Sequence, residues 1–458
     1  MIVFRSILIL IFIPFIAQSL DSLNDRINHL IKNDAAAKRL NIGIQIKDLK
    51  TEAVLYKLNP FQRMIPASTT KSFTTYAALE YLGANFTYST IISFNKDLIT
   101  ANRELADDLY IIFSGDPSLS KLELANLIAS IKINKIRGNI IIDDSAFDQS
   151  YQADGKSWDD NKFCYAAPTS AIVIDKNCFY LNLSPGKNPD DIAQVNGDSF
   201  SQINNNIITK ADSSCSPELL AHPNNSYDLT GCLDSDSATI PLKIAYQDPR
   251  LMIKSLIAQI LETQNIKYSG NIFFDKVNSS KITKIAEHKS APLLELVTKM
   301  HKISDNIAAD NFTKTIGMNY FKTQGNFKNG TKAIKEITGT QDIKIFDGSG
   351  ASRYNLIAPD QLVDLYILAF KNKKIWPYFY NSLPDTSADE YLATRFTNPA
   401  LSNKLHAKTG SMSGISNLVG YIEKDNGQIL VFAIMVNGAT DIKDAHKIIE
   451  KILLEMLY

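Results

Sequence analysis

The stretch PASTTKSFTTYAALEYLG, residues 66–83, decides how the rest of the chain is read. Phe73, Tyr76, Leu79 and Leu82 fall at helical spacing, and Gly83 follows as a stop signal. The spacing predicts a buried helix over 69–82 with Ser68 near its N-terminus. Lys71 lies three residues beyond Ser68, and residues three apart on a helix share a face. Its amine can therefore stand over the serine hydroxyl. A lysine is a poor base at its ordinary pKa. Burial and a second nearby cation favour the neutral amine, which can then take the serine proton. Backbone N–H groups at the helix start add donors for a developing oxyanion.

The same S-x-x-K spacing recurs at Ser93, Ser118 and Ser184, so context must choose. Only Ser68 opens a long apolar helix. Two other segments supply partners. Ser304-Asp305-Asn306 falls between predicted helices at Leu293–Met300 and Asn306–Ile316, where a hydroxyl and an amide can reach across a cleft. The same residue types also suit a plain helix cap. Lys408-Thr409-Gly410-Ser411 holds the only K-T-G of the chain and is predicted to lie on a strand. There Lys408 offers positive charge, and the Thr409 and Ser411 hydroxyls can hold a carboxylate. Gly410 is expected to let a substrate backbone lie close along that strand.

Working outward, the two ends of the chain read alike. Asn41–Leu49 alternates as a strand, with Ala53–Leu58 as its hairpin partner. Asn417–Glu423 and Gln428–Asn437 flank Asp425-Asn426-Gly427, a hairpin signal. Leu23, Ile27, Leu30 and Ile31 have helical spacing, Pro359–Phe370 reads as a helix, and Ala445, Ile448, Ile449, Ile452, Leu453 and Met456 mark an amphipathic C-terminal helix. Between them the character changes. Short β-like runs recur at Leu109–Phe113, Gly138–Ile142, Ile172–Ile174, Phe179–Leu183 and Asn271–Phe274. Helical pieces intervene at Lys121–Ile131 and Leu251–Thr263, and Pro185–Ser237 is rich in Asn, Asp, Ser and Gly. The fold class expected is α/β (α+β): an antiparallel sheet flanked by helices, interrupted by a β-rich insert of one or two subdomains. The divisions are a signal peptide at 1–19, a discontinuous catalytic domain at 20–84 and 287–458, and an insert at 85–286 with a nested subdomain at about 180–237.

Composition narrows the function. The 458 residues carry 48 Lys+Arg against 48 Asp+Glu and are 45% hydrophobic, which excludes wholesale disorder. A net charge of zero argues against a nucleic-acid binder, which needs a basic surface. Arg5, the apolar run SILILIFIPFI (6–16) and Ala17-Gln18-Ser19 read as a secretory signal with cleavage near Ser19. The run is shorter than the roughly 20 residues a span requires, so membrane contact is at most peripheral. Export permits disulfides. Cys164, Cys178, Cys215 and Cys232 allow three connectivities, of which neighbour pairing closes the shortest loops. No H-E-x-x-H, G-x-S-x-G, G-x-G-x-x-G or phosphate-loop motif occurs, and the six histidines show no metal-like pair. No metal and no cofactor are expected.

In the order S-x-x-K, S-x-N, K-T-G, each on its expected element, the three motifs match those of penicillin-interacting serine enzymes. The chain resembles the class C low-molecular-mass penicillin-binding proteins, the penicillin-binding protein 4 type of D-alanyl-D-alanine carboxypeptidase/endopeptidase. The resemblance covers nearly the whole mature chain. It includes Gly115-Asp116-Pro117, Trp158-Asp159-Asp160, Cys164-Tyr165-Ala166-Ala167-Pro168, Asp175-Lys176-Asn177-Cys178-Phe179 and Asp347-Gly348-Ser349-Gly350-Ala351-Ser352-Arg353. The long insert between the first two motifs is that group's hallmark. The stretch Ser382–Ala388 lacks the glycines the family often has before K-T-G.

The resemblance implies roles. Ser68 is the acylated nucleophile and Lys71 its general base. Ser304 and Lys408 relay the proton to the leaving group, Asn306 binds the substrate amide, and Thr409 and Ser411 hold the terminal carboxylate. The backbone N–H groups of Ser68 and Ser411 form the oxyanion hole, and Asp160 and Arg353 line the pocket for the stem-peptide side chain. The implied activity is a periplasmic serine D,D-peptidase acting on D-Ala-D-Ala ends or D,D-crosslinks of peptidoglycan stem peptides and inhibited by β-lactams. The alternatives are a β-lactamase on the same scaffold and a catalytically silent cell-wall binding protein. Sequence assigns no oligomeric state.

Overall fold

Alternation along one strand explains the layering of the catalytic part. In Ile429–Asn437, Val431, Ala433 and Met435 face a helical layer containing Phe73, Tyr76, Leu362 and Tyr366. Leu430, Phe432, Ile434 and Val436 point the other way, onto Ile448, Ile449, Ile452 and Leu453 of the C-terminal helix Ile442–Leu457. Side chains alternate with period two along a strand, so a sheet covered on both faces needs apolar residues at every position. Each fully buried side chain of this size contributes about 1.5–3 kcal/mol.

This computed structural model describes residues 22–197, 200–212, 214–277, 282–387 and 391–458. The expected signal peptide lies outside the described residues. Five antiparallel strands form the sheet in the order Leu405–Met412, Ile415–Glu423, Ile429–Asn437, Asn41–Asp48 and Val54–Leu58. The chain's two ends meet in it, Ile42 opposite Val436 and Ile44 opposite Ile434. The hairpin turn forms with Gly427 at φ 79° and the Asn426 side chain accepting from the Gln428 N–H at 3.0 Å.

Between residues 85 and 293 the chain leaves and returns on paired strands: Ser89–Phe94 runs antiparallel to Thr283–Lys289. They belong to a second five-stranded sheet with Leu109–Ile112, Ile140–Asp143 and Ile272–Phe274. Helices Lys121–Ser130 and Pro249–Thr263 share its core. Cys178–Ser184 pairs with Ile240–Ala245 and Gln194–Asn196, and a small sheet is built around Ser226–Asp234. Disulfides join Cys164 to Cys178 and Cys215 to Cys232, the neighbour pairing.

Two sequence expectations need correction. Ile172–Ile174 is buried but forms no strand. Asn177 replaces a neighbouring strand: its side chain donates to the Pro168 and Ile172 carbonyls and accepts from the Ile174 N–H, at 3.0–3.1 Å. The helix after Ser68 begins as a 3₁₀ turn, Ala67–Thr70, and is α-helical only over Lys71–Tyr81. The Thr69 and Thr70 hydroxyls donate to the carbonyls three residues back, at 2.8 and 2.9 Å, which favours the tighter turn. Helix Phe327–Thr338, which no sequence expectation covers, contains Gly330. Its missing Cβ lets this helix cross Asn306–Phe321 closely, where a Cβ on Gly317 would stand 2.5 Å from the Gly330 nitrogen.

Candidate active site

The Ser68 turn is held against the edge of the sheet by backbone. Gly410, expected to make room for substrate, makes room for the protein: a Cβ there would stand 2.5 Å from the Pro66 carbonyl oxygen and 3.0 Å from the Thr69 nitrogen. Asn417 on the adjacent strand donates to the Ile65 and Pro66 carbonyls at 2.9 Å, and Asn437 accepts from the Ile65 N–H at 3.0 Å. Ala67 has φ 49°, an uncommon value for a residue with a side chain, just ahead of Ser68. Ser68 is half-buried and Lys71 fully buried.

The Lys71 Nζ has three partners. It lies 2.9 Å from the Ser68 Oγ, 2.6 Å from the Asn306 Oδ1 and 2.6 Å from the Ser349 carbonyl oxygen. Burial lowers its pKa to about 8, against the opposing pull of Asp310, Asp347 and Asp305. A neutral lysine is therefore accessible close to neutral pH.

Ser304 caps helix Leu293–Ile303 in a left-handed conformation, φ 55°, and Asp305 caps the next helix by accepting from the Ile307 and Ala308 N–H groups. This sharp corner presents the Ser304 hydroxyl to the Lys408 Nζ at 3.0 Å. Lys408 also donates to the Thr409 carbonyl at 3.0 Å. Burial, and then the nearby Lys71 charge, push its pKa well below the usual lysine value. Ser68, Ser304, Lys408, Thr409 and Ser411 line one cavity of about 660 Å³, with Thr409 half-buried and Ser411 exposed.

Asn306 ties this site to the inserted region. While its Oδ1 receives Lys71, its Nδ2 donates to the Tyr165 carbonyl at 2.8 Å. Lys176 adds an ion pair to Asp305 at 2.7 Å. A second cleft, of about 1160 Å³, runs from Ser304 and Asn306 past Tyr165, Trp158 and Tyr180. Asp160 lies beside that cleft, its carboxylate taken by the Tyr165 hydroxyl at 2.7 Å. Arg353 is exposed, and its backbone N–H donates to the Gly155 carbonyl at 2.8 Å. Neither Asp160 nor Arg353 lines either cavity.

Several residues of the site carry no recognisable motif. His301 is fully buried between the Thr75 hydroxyl at 2.8 Å and the Ser382 hydroxyl at 3.0 Å. Burial and the two lysines lower its pKa to about 3, so it is a neutral strut. Asp310 accepts from the Gly348 and Ser349 N–H groups and from Lys156. The one sequence signal for Asp310 is its place four residues after Asn306, one turn along the same helix face.

Comparison with known proteins agrees with this geometry. The family model described as D-Ala-D-Ala carboxypeptidase 3 (S13) matches residues 23–455. The D-alanyl-D-alanine carboxypeptidase DacB of Haemophilus influenzae is 31% identical over 414 residues, 87% of this chain and 85% of that one. A D-alanyl-D-alanine carboxypeptidase from an Actinomadura species is 28% identical over 434 residues, 89% of this chain and 80% of its own. The crystal structure of penicillin binding protein 4 from H. influenzae matches with a TM-score of 0.87 and 29% identity, over 94% of this chain and 99% of that one. Its complex with a β-lactam matches at a TM-score of 0.81 and 27% identity, with the same coverage.

Proposed function

The chain belongs to the D-Ala-D-Ala carboxypeptidase 3 (S13) family and is a serine D,D-peptidase, and on that premise we propose that Ser68 is its acylated nucleophile and Lys71 its general base. The observation that carries this reading is the 2.9 Å approach of a buried lysine, with no carboxylate of the described residues directly on its amine, to a half-buried serine. Ser68 Oγ attacks the carbonyl of the penultimate D-alanine and gives its proton to Lys71. The tetrahedral oxyanion is held by the Ser68 and Ser411 backbone N–H groups. Ser304, bonded to Lys408, passes a proton to the leaving amine, which departs as free D-alanine or as the amine of a second stem. Water then hydrolyses the ester.

Thr409 and Ser411 receive the terminal carboxylate. Asn306, whose amide nitrogen keeps a second hydrogen, receives the substrate amide. The cleft running past Tyr165 takes the upstream stem peptide, with Asp160 beside it. The division of the chain supporting this is a catalytic domain of 20–84 and 287–458 and an insert of 85–286. Peptidoglycan as substrate and the signal-like first 19 residues support a periplasmic location. No helix among the described residues is long and apolar enough to cross a membrane.

β-Lactams mimic the D-Ala-D-Ala end and acylate Ser68. Intact mass after benzylpenicillin treatment, and D-alanine release from a pentapeptide, test the assignment with Ser68→Ala alongside. The expected outcome is one stable adduct on the native enzyme, with adduct and D-alanine release both absent in the variant. Persistent D-alanine release from Ser68→Ala overturns it, and rapid penicillin turnover without an adduct reassigns the chain as a β-lactamase.

A further inference from the structure

Beneath the Ser68–Lys71 pair lies a buried network of charges drawn from three distant parts of the chain. Asp310, from helix Asn306–Phe321, is fully buried. Its Oδ1 accepts from the Gly348 and Ser349 N–H groups at 3.1 and 2.9 Å. Asp347 is equally buried and accepts from the Gly350 N–H, the Ser352 N–H and the Asn355 Nδ2 at 2.6–2.9 Å. The Ser349 hydroxyl lies between the two carboxylates, 3.2 Å from Asp310 and 3.3 Å from Asp347. Together they fix the 347–352 loop, which aims the Ser349 carbonyl at the Lys71 amine.

Two carboxylates in so dry a place need a counter-charge. Lys156, from the inserted region, supplies it. Its Nζ is 2.8 Å from the Asp310 Oδ2, with side-chain exposure of 4% and 0% for the two partners. The other charges facing Lys71 are already accounted for. Asp305 has Lys176 as its partner. Lys314, whose charge also reaches Asp310, is paired with Asp148. Lys408 faces Lys71 from the sheet, and His301 faces it from helix Leu293–Ile303. Among the described residues, Asp310 and Asp347 are thus left with two cations to share, Lys156 and Lys71 itself.

We propose that Lys156 is a positioning residue for the catalytic base: it neutralises the buried Asp310–Asp347 pair, so that Lys71 is not held as their counter-ion and is free to act on Ser68. The inserted region thereby completes the active site from below as well as bordering it. The inference rests on Lys71 being the base. Both carboxylates favour a charged Lys71, while Lys156 favours a neutral one. Without Lys156 the pair must capture a proton or hold Lys71 charged. Burial and the Asp310 charge already raise the Asp347 pKa, so the two outcomes compete.

The test is the pH dependence of benzylpenicillin acylation, followed by intact mass, for the full-length mature enzyme and its Lys156→Met and Lys156→Arg variants. For Lys156→Met the acid limb is expected to move up by about one pH unit. Acylation then falls about tenfold at pH 7 and is regained at higher pH, since one unit is a tenfold change in the neutral fraction. Lys156→Arg keeps the charge and is expected to restore the native limb. A purely structural role would lower the rate of Lys156→Met by one factor at every pH, and that result overturns the inference. So does an unshifted limb, in which Asp347 takes the proton. Should Lys156→Met fail to fold, Lys156→Gln is measured in its place and held to the same outcomes. If native enzyme forms no adduct, or its rate has no acid limb, the assignment of Ser68 or Lys71 has failed, not the role of Lys156.

Discussion

Each wall of the cleft buries one lysine, and the two are surrounded differently. On one wall Lys71 is 0% exposed and faces Asp305, Asp310 and Asp347. On the other, Lys408 is 1% exposed and meets only the Ser304 hydroxyl and the Thr409 carbonyl, with no described carboxylate in ion-pair range. Burial lowers both pKa values. Around Lys71 three acids resist that fall and leave it at about 8. Around Lys408 nothing resists, and the charge of Lys71 adds to the fall. The two walls are therefore coupled, because the charge of one lysine opposes the charge of the other. A substrate carboxylate at Thr409 and Ser411, the role proposed for them, would supply the anion that the Lys408 wall lacks and favour its charged form.

The comparison is broken most directly at Lys71. With Lys71 as the proposed base, which must be neutral to act, acylation should rise with pH, about tenfold per unit below pH 8, and level off above it. Lys71→Met should reduce acylation by roughly 10²–10⁴-fold and remove this limb. Stopped-flow or quenched acylation across pH 5.5–10 reads both effects. A residual rate that still climbed through pH 8 would show that another group is the base.

Lys408→Met should cost less. Its loss removes a charge-assisted bond worth about 1.5–3 kcal/mol, roughly ten- to a hundredfold. The loss should appear in KM for peptides ending in D-Ala-D-Ala, whose carboxylate the lysine charge attracts, and also in kcat, because the lysine is bonded to the Ser304 that passes the proton. The acid limb of Lys71 should move little. A fall confined to kcat would mean that Lys408 works only on the leaving group and does not attract the substrate carboxylate.

The same contrast explains what could be read from the sequence. Ser68 and Lys71 are one helical turn apart, Ser304 and Asn306 share one corner, and Lys408 to Ser411 share one strand. Each group is local, so spacing alone exposes it, and the paired strands around Gly427 are equally local. The floor of the site is not. Lys156, Asp310 and Ser349 come together only after the 155–158 loop, a helix and the 347–352 loop have packed, and no spacing within the sequence joins the three. Gly330 and Gly410 carry a packing role that spacing does not show. Each marks a place where two backbones touch. Ile172–Ile174 misled because Asn177 satisfies its backbone, a role that hydrophobic periodicity does not reveal.

The two disulfides give the smallest effects and test how far the cleft's influence extends. Cys164 and Cys178 border the larger cleft, and Cys164 precedes Tyr165, whose carbonyl holds Asn306. Cys215 and Cys232 join residues 17 apart at the small sheet around Ser226–Asp234, outside both cavities. A loop of about that length is worth about 3 kcal/mol in the chain-entropy account. Replacing both members of either pair by serine should therefore weaken its own region by a comparable amount, seen as faster local hydrogen exchange. Acylation should separate them. Loss of Cys164–Cys178 should slow it severalfold, because Asn306 loses a fixed anchor and Lys71 a fixed partner. Loss of Cys215–Cys232 should leave it within twofold. Equal slowing in both would mean that the insert acts on the site as one rigid body, and that the contact at Tyr165 is not its particular route.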